Sequence, residues 1–399
     1  MLDTGTSSFQ QIARELASGF AAAAGHWDET RSYPWDNVRQ MADAGLMGMT
    51  IPARFGGAGA SFFDVVQVVE ELAGACTLSA RIAVEANMGG ISAVMAYGSD
   101  EQRAFAAPLV LAGDKPAICI TEPGAGSAAC EMQTTARRDG DRYLINGCKH
   151  WITGGGVSKL YVIFARVLDE DGTDAGITGF LVHYDPENGV APAGFHVVGR
   201  ERTMGLCGMP ETELRFEDLE VEARWMIRPP SGLARGFGDL MNAYNSQRVG
   251  AGTIALGVAV GAMGHAKRYL AEREQFGRLL QEFQGLQWML ADMDTSVHAA
   301  RLMLHEAAQS LGPEGFPDKT KAARAKLFAS ETAIKVVSDA LQMFGARGYG
   351  AAEPLERMYR DVRMFTIGGG TAQVLRTQIA GAALGIKTPQ TRGGYLPEG

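Results

Sequence analysis

Apolar residues fall at every third or fourth position through roughly the first 115 residues, in runs separated by Gly and Pro. Phe9, Ile12, Leu16 and Phe20 form one such stripe behind Ser7 or Ser8, and Ser99 with Gln102 spells a capping box in front of another. Gly45 and Gly113 stand where helices should stop. Between about Ile118 and Ile227 the period shortens, and 143–145, 160–165, 178–183 and 213–216 are β-rich runs bounded by turn residues. Helical periodicity returns from about Leu233 in four long segments, roughly 235–272, 280–311, 317–346 and 371–385. The pattern predicts a mainly α chain with a central β-domain. Its parts are an N-terminal helical domain over 1–117, a middle β-domain over 118–228 and a C-terminal four-helix bundle over 229–399.

Composition narrows the class. With 399 residues, 46% hydrophobic and 21% charged, the chain can bury a large core. A formal net charge of −8 and the lack of a basic run argue against a nucleic-acid partner. The longest uncharged apolar stretch, Val249 to Gly264, is shorter than the roughly 18 to 20 residues that span a bilayer. Its five glycines suit close helix packing, so it reads as a buried bundle helix and no membrane partner is expected. Cys76, Cys119, Cys130, Cys148 and Cys207 show no Cys-x-x-Cys spacing, so they read as reduced core thiols with no metal site. Met1 to Gln10 has neither the charged nor the apolar part of a secretory signal, and a cytoplasmic location is the expectation. A Gly-x-Gly-x-x-Gly after a strand and a P-loop are both absent.

The segment Ile118-Cys119-Ile120-Thr121-Glu122-Pro123-Gly124-Ala125-Gly126-Ser127 combines glycines, which let backbone N–H groups approach a ligand, with hydroxyl donors. It resembles the first diagnostic motif of the acyl-CoA dehydrogenases. Three further stretches in the right order are similar to that family: Trp151-Ile152-Thr153, then Arg273-Glu274-Gln275-Phe276-Gly277 with Gln284, then Gln342-Met343-Phe344-Gly345 with Gly348, Gly350 and Arg360-Asp361. The resemblance implies FAD as cofactor, an acyl-CoA substrate, a β-barrel-like middle domain and a homotetramer. It places Ile118, Ile120, Thr121, Gly126, Ser127, Trp151, Ile152 and Thr153 around the flavin ring. Arg273, Gln275, Phe276 and Gln284 would reach FAD across a subunit interface, and Gln342, Met343, Gly345, Thr371 and Gln373 would complete the cofactor site. Ala128 and Ala346 depart from the family's usual Asp and Gly.

A dehydrogenase of this family removes an α-proton with a carboxylate, and without it that step should lose about 10²–10⁴ in rate. In most members the base is the Glu of an Ile-Tyr-Glu-Gly-Thr segment, which here reads Ile367-Gly368-Gly369-Gly370-Thr371. In others it is the Glu before an Arg on the first long C-terminal helix, and here that pair is Gln247-Arg248. An amide is a poor base at neutral pH.

The 3-sulfinopropionyl-CoA desulfinase branch shares both losses, and is similar in 112–120, 151–160, Ala243-Tyr244-Asn245 with 247–252, and 364–367. In that branch an Arg on an N-terminal helix binds the sulfinate, and Arg81 sits at the matching position. The resemblance therefore implies catalytic roles for Arg81 and Gln247, and substrate contacts from Arg81, Ser127, Asn245, Gln247, Arg248, Gly369 and Gly370. A guanidinium fork suits paired anionic oxygens. Without the resemblance, Arg81 and Glu85, four apart on a predicted helix, would read as an exposed ion pair. Two rivals stay open: a short-chain acyl-CoA dehydrogenase with a relocated base, and a catalytically silent flavoprotein used as a binding module.

Overall fold

The computed structural model describes residues 7–388. The signal-sequence reading of Met1 to Gln10 therefore lies mostly outside the described residues. The N-terminal region is helical: α1 (Ser8–Thr30), α2 (Trp35–Asp43), α3 (Phe62–Ala75), α4 (Thr77–Met88), α5 (Gly90–Tyr97) and α6 (Asp100–Leu111). The caps are where the sequence puts them. The Ser7 hydroxyl accepts from the Gln10 N–H, Ser99 and Gln102 close a reciprocal capping box, and Gly45 and Gly113 follow helix ends at positive φ.

The β-region has longer strands than apolar runs alone suggest: β1 (Ala117–Cys119), β2 (Thr135–Asp139), β3 (Arg142–Thr153), β4 (Leu160–Leu168), β5 (Asp174–His183), β6 (Phe195–Arg200) and β7 (Glu211–Glu222). They form one sheet in the order β1-β4-β2-β3-β7-β6, with β5 on the other side of β4. Both β1 and β2 run parallel to β4, one beside 161–163 and the other beside 166–168. The intervening 120–134 therefore leaves the sheet as a loop between two strands laid end to end on the same neighbour. The strands β1, β2 and β6 escaped sequence reading because they are short or, in β2 and β6, mostly solvent-facing.

The C-terminal region holds α7 (Leu233–Glu272), a hairpin of β8 (Glu274–Gln275) and β9 (Arg278–Leu279), α8 (Gln284–Ala308), α9 (Lys319–Phe344), α10 (Ala346–Tyr349), α11 (Pro354–Val362) and α12 (Ala372–Leu384). The four long segments are present, although α8 begins four residues later than expected because 280–282 is a 3-10 turn. The short α10 and α11 were not anticipated, since Gly348, Gly350 and Pro354 read as a loop.

By length and composition α7 could cross a membrane, yet 78% of its apolar window is buried inside this fold. Its glycines explain the burial. A Cβ at Gly250 would lie 2.7 Å from Val84 Cγ1, and one at Gly261 would lie 2.4 Å from the Gly74 carbonyl oxygen. Backbone approach that close lets α7 pack against both α3 and α4 as the central helix of the core.

Candidate active site

The loop after β1 is held from beneath. The Glu122 carboxylate accepts the N–H groups of Gln133 (2.6 Å) and Thr134 (2.9 Å) and the ammonium of the fully buried Lys149 (2.8 Å). These bonds keep the Glu122 carboxyl below its ordinary range despite burial. Above the clamp, Gly126 and Ser127 are exposed, and a Cβ on Gly124 or Gly126 would meet nothing within 4 Å. Ile118 and Ile120 are half-buried at the root of this loop.

Beside it, the β3–β7 register slips between Lys149 and Ile152, and Trp151 sits in the slip at φ 59°. A bulge of this kind re-aims a side chain. The Trp151 indole is 53% exposed and stacked on His150 at 5.0 Å, while its neighbour Ile152 is buried. The His150 N–H donates to the Thr121 carbonyl at 2.9 Å, tying bulge and loop together. A bare aromatic face next to an open Gly-rich backbone and two hydroxyls is a donor set that fits a planar, polar-edged ring. The Thr153 hydroxyl, by contrast, donates to Glu211 at 2.9 Å. Burial raises the Glu211 carboxyl to about 7.

The second half of the site lies where α4 meets α7. Arg81 and Glu85 form the i,i+4 ion pair, at 2.7 Å, and it is not the exposed pair that spacing alone would give, because the two side chains are 8% and 3% exposed. The reason is tertiary, because Gly250 lets α7 close over this face of α4. Glu85 Oε1 also accepts the Gln247 amide N–H at 2.9 Å. Arg248, one residue on, donates to Asn245 Oδ1 at 2.8 Å. Three atoms of this cluster are buried without a hydrogen-bond partner: Arg81 Nε, Gln247 Oε1 and Arg248 Nε. Buried polar atoms are seldom left unpaired, so three such atoms on two packed helices make this junction a candidate ligand site.

The Gly368–Thr371 segment faces the same cluster. Gly369 and Gly370 adopt φ of 73° and 91°, a region that a Cβ strains. A Cβ at Gly370 would lie 3.9 Å from Arg248 Nε, and one at Gly369 would lie 4.0 Å from Lys326 Cε. Lys326 is fully buried on α9, and its ammonium donates to the Gly370 carbonyl at 2.7 Å. Burial, with Arg248 and Arg81 nearby, lowers Lys326 to about 7. Sequence reasoning missed Lys326, although it interrupts the small apolar stripe Ala322, Ala329, Ala333 at helical spacing. Lys115 was also missed. It is buried, donates to the Thr153 carbonyl at 2.9 Å, and is lowered by burial.

The other predicted residues divide by exposure. Arg273, Gln275, Gln284, Gln342 and Gln373 are exposed, and Phe276 is 94% exposed at φ 54°. Met343 instead points into the core, and Thr371 caps α12 by accepting the Val374 N–H. Arg360 is engaged by Asp28 and Glu356, and Asp361 is buried against the Leu206 N–H, so these two join domains together and do not extend toward a ligand. Cys76, Cys119 and Cys207 are buried, but Cys130 and Cys148 are only partly buried, so the expectation of five core thiols holds for three.

Comparison with known proteins agrees with this architecture. The acyl-CoA dehydrogenase N-terminal, middle and C-terminal domain descriptions match residues 5–114, 117–219 and 234–384. The chain belongs to the acyl-CoA dehydrogenase family. Among its relatives, a 3-sulfinopropanoyl-CoA desulfinase of Variovorax paradoxus is 59% identical over 97% of this chain and 96% of its own. A protein of the same name from Cupriavidus necator is 56% identical over 100% of this chain and 99% of its own. The butyryl-CoA dehydrogenase structure from Megasphaera elsdenii superposes with a TM-score of 0.87 at 30% identity, covering 96% of this chain and 100% of that one. Positions 247 and 369 of this chain hold Gln and Gly.

Proposed function

We propose that this chain is an FAD-containing 3-sulfinopropionyl-CoA desulfinase, converting its thioester substrate and water into propionyl-CoA and sulfite, with Arg81 as the anchor of the sulfinate. The observation that supports the reading best is that Arg81 and Gln247 meet on Glu85 at the buried α4–α7 junction, next to Arg248 in sequence, and that each of the three keeps a buried polar atom unpartnered among the described residues. Arg248 and Lys326 add positive charge that has no ion-pair partner among the described residues, so a small acyl group ending in an anion suits the cluster.

The chemistry agrees with the residues. The carbon–sulfur bond breaks with its electron pair left on carbon, a proton takes the place of sulfur, and water adds to the departing sulfur dioxide to give sulfite. Net oxidation is zero, so no α-proton base and no external electron acceptor are required, and the enzyme acts as a C–S hydrolase. Arg81 holds the sulfinate oxygens through its remaining N–H groups. The unpartnered Gln247 Oε1 is an acceptor for the water consumed. Asn245 orients Arg248. When bound, FAD supplies a ring able to take a hydride. Thr121, Gly126, Ser127, Trp151 and Ile152 would hold that ring, and Arg273, Gln275, Phe276, Gln284, Gln342, Gly345 and Gln373 would hold the rest across the interface of a homotetramer. Ser127, Gly369 and Gly370 would line the thioester. The division at 117/118 and 228/229 separates the regions whose junctions make these sites.

The test is incubation with 3-sulfinopropionyl-CoA and assay of sulfite with no acceptor added. Wild type should release sulfite, Arg81→Lys less, and Arg81→Ala least, with a fall of roughly 10- to 100-fold at equal flavin content. Normal release from Arg81→Ala removes Arg81 from the mechanism. A dehydrogenase reading has one observation in its favour, the buried Lys326 near 7 beside the Gly369 slot. Rapid anaerobic bleaching of the flavin by butyryl-CoA, lost in Lys326→Met, would put that reading in place of ours.

A further inference from the structure

Position 247 holds a buried amide, and the amide has an acidic neighbour that explains it. Glu85 Oε1 lies 2.9 Å from Gln247 Nε2 and 2.7 Å from Arg81 Nη2. A carboxylate only accepts hydrogen bonds, so the Gln247 amide must turn its NH₂ toward Glu85. Its carbonyl oxygen then points away, and that is the atom left buried without a partner. Glu85 is itself seated tightly: a Cβ at Gly89 would lie 2.9 Å from its Oε2.

We propose that Glu85 is a positioning residue with two effects: it holds the Arg81 guanidinium in place for the anion, and it compels an amide at position 247. A carboxylate there would face Glu85 at the same separation, two acidic groups in a water-poor junction. Such a pair keeps one proton and cannot be doubly ionised near neutrality. Arg81 and Gln247 thus share one acceptor, Glu85 Oε1. The first effect rests on Arg81 being the anion anchor, as proposed above; the second does not.

The surroundings of Glu85 agree with this. On its own helix it faces Arg81, and from α7 it faces Gln247 and the phenol of Tyr244. From the β-region Lys115 and Glu211 lie within electrostatic reach, as does Tyr33 from the α1–α2 connection. Arg81 is the cation paired with Glu85, Lys115 lies within reach of it, and Arg248 and Lys326 are the further cations of the cluster.

The test uses the full-length protein as purified and compares melting temperature against pH for wild type, Gln247→Glu, and the swap Glu85→Gln with Gln247→Glu. In Gln247→Glu one carboxyl of the pair is raised above its unfolded value. Its stability is intact below the ordinary Glu pKa and is lost as pH rises through the raised value. The single variant should thus fall behind wild type by several degrees, about 3–6 °C, between about pH 5 and pH 8. The swap restores one acid facing one amide, so its melting should again run parallel to wild type. Glu85→Ala with Gln247→Glu is a second route to the same relief. If Gln247→Glu runs parallel to wild type, or if both double variants stay as pH-sensitive as the single one, Glu85 does not dictate residue 247 and the proposal is wrong. Sulfite release by wild type is measured separately. Its absence alongside the expected melting pattern would remove the desulfinase reading and leave the Glu85 pairing standing.

Discussion

At the scale of single residues, the site is governed by charges that burial has moved. Lys326 has its usual ammonium pKa lowered to about 7 by burial, with Arg248 and Arg81 adding repulsion, and its ammonium donates to the Gly370 carbonyl. An anion bound in this cluster must push that value back up. At a pH of about 8, above the lowered value and below the ordinary one, binding should therefore take up a fraction of a proton per site, and below about pH 6 it should take up none. Calorimetry of 3-sulfinopropionyl-CoA binding to Arg81→Lys, which turns over slowly, in buffers of different ionisation enthalpy measures the uptake. Adding Lys326→Met should abolish it, and uptake unchanged by that substitution would show that Lys326 does not sense the ligand. The residues that carry this electrostatic picture were only partly legible. Arg81, Gln247 and Arg248 could be named because they fall in motifs. Glu85 looked like a surface partner, and Lys326 like any charge on a helix, because burial belongs to the neighbours and not to the residue.

At the scale of elements, α7 is the beam against which the others are set, and its glycines decide where each can sit. At Gly250 a Cβ would collide with Val84 Cγ1 and with Met88 Sδ, both under 3 Å. At Gly264 a Cβ would meet only Arg268 Nη1 at 3.7 Å. The same Gly→Ala change should consequently have opposite signs on one helix. Gly264→Ala should stabilise by about 0.5–1 kcal/mol from helix propensity alone. Gly250→Ala should destabilise by about 1–3 kcal/mol through overpacking, and should raise the KM for the thioester by levering Arg81 and Glu85 off Gln247. Denaturant melts with sulfite kinetics check both, and equal effects at the two glycines would refute the close-approach account. Helix identities and caps were readable because apolar period and Ser–Gln spacing are local. The slip in β3 that turns Trp151 outward was not, since register depends on which strand lies alongside.

For the whole molecule, the most exposed apolar side chain is Phe276, on the β8–β9 hairpin beside the exposed Arg273 and Gln275. The ring is 94% in water at a positive φ, with an edge contact to Phe283 at 6.3 Å, so it leaves most of an apolar surface for a partner. If the hairpin reaches a neighbouring subunit's FAD, Arg273→Ala should weaken FAD retention about tenfold by removing a charged donor. Phe276→Ser should shift the assembly below a tetramer in light scattering. Full flavin occupancy with an unchanged mass in both variants would place the hairpin outside any interface.

Local order and chemical type are properties of the chain itself: the alternation of helical and β periods, the caps at Ser7 and Ser99, the Gly-rich loop after β1, and Gln and Gly at 247 and 369. Each follows from which residues are near one another in sequence, so sequence determined them. What only the tertiary structure decided is environment. Bringing α4 and α7 together at Gly250 made an apparent surface ion pair into a buried junction, gave Gln247 an acid to face, and set Lys326 beneath Gly369. Gln247 and Glu85 are 162 positions apart, and Lys326 and Gly370 are 44. Desolvation and charge pairing act through space, and no spacing along the chain encodes them.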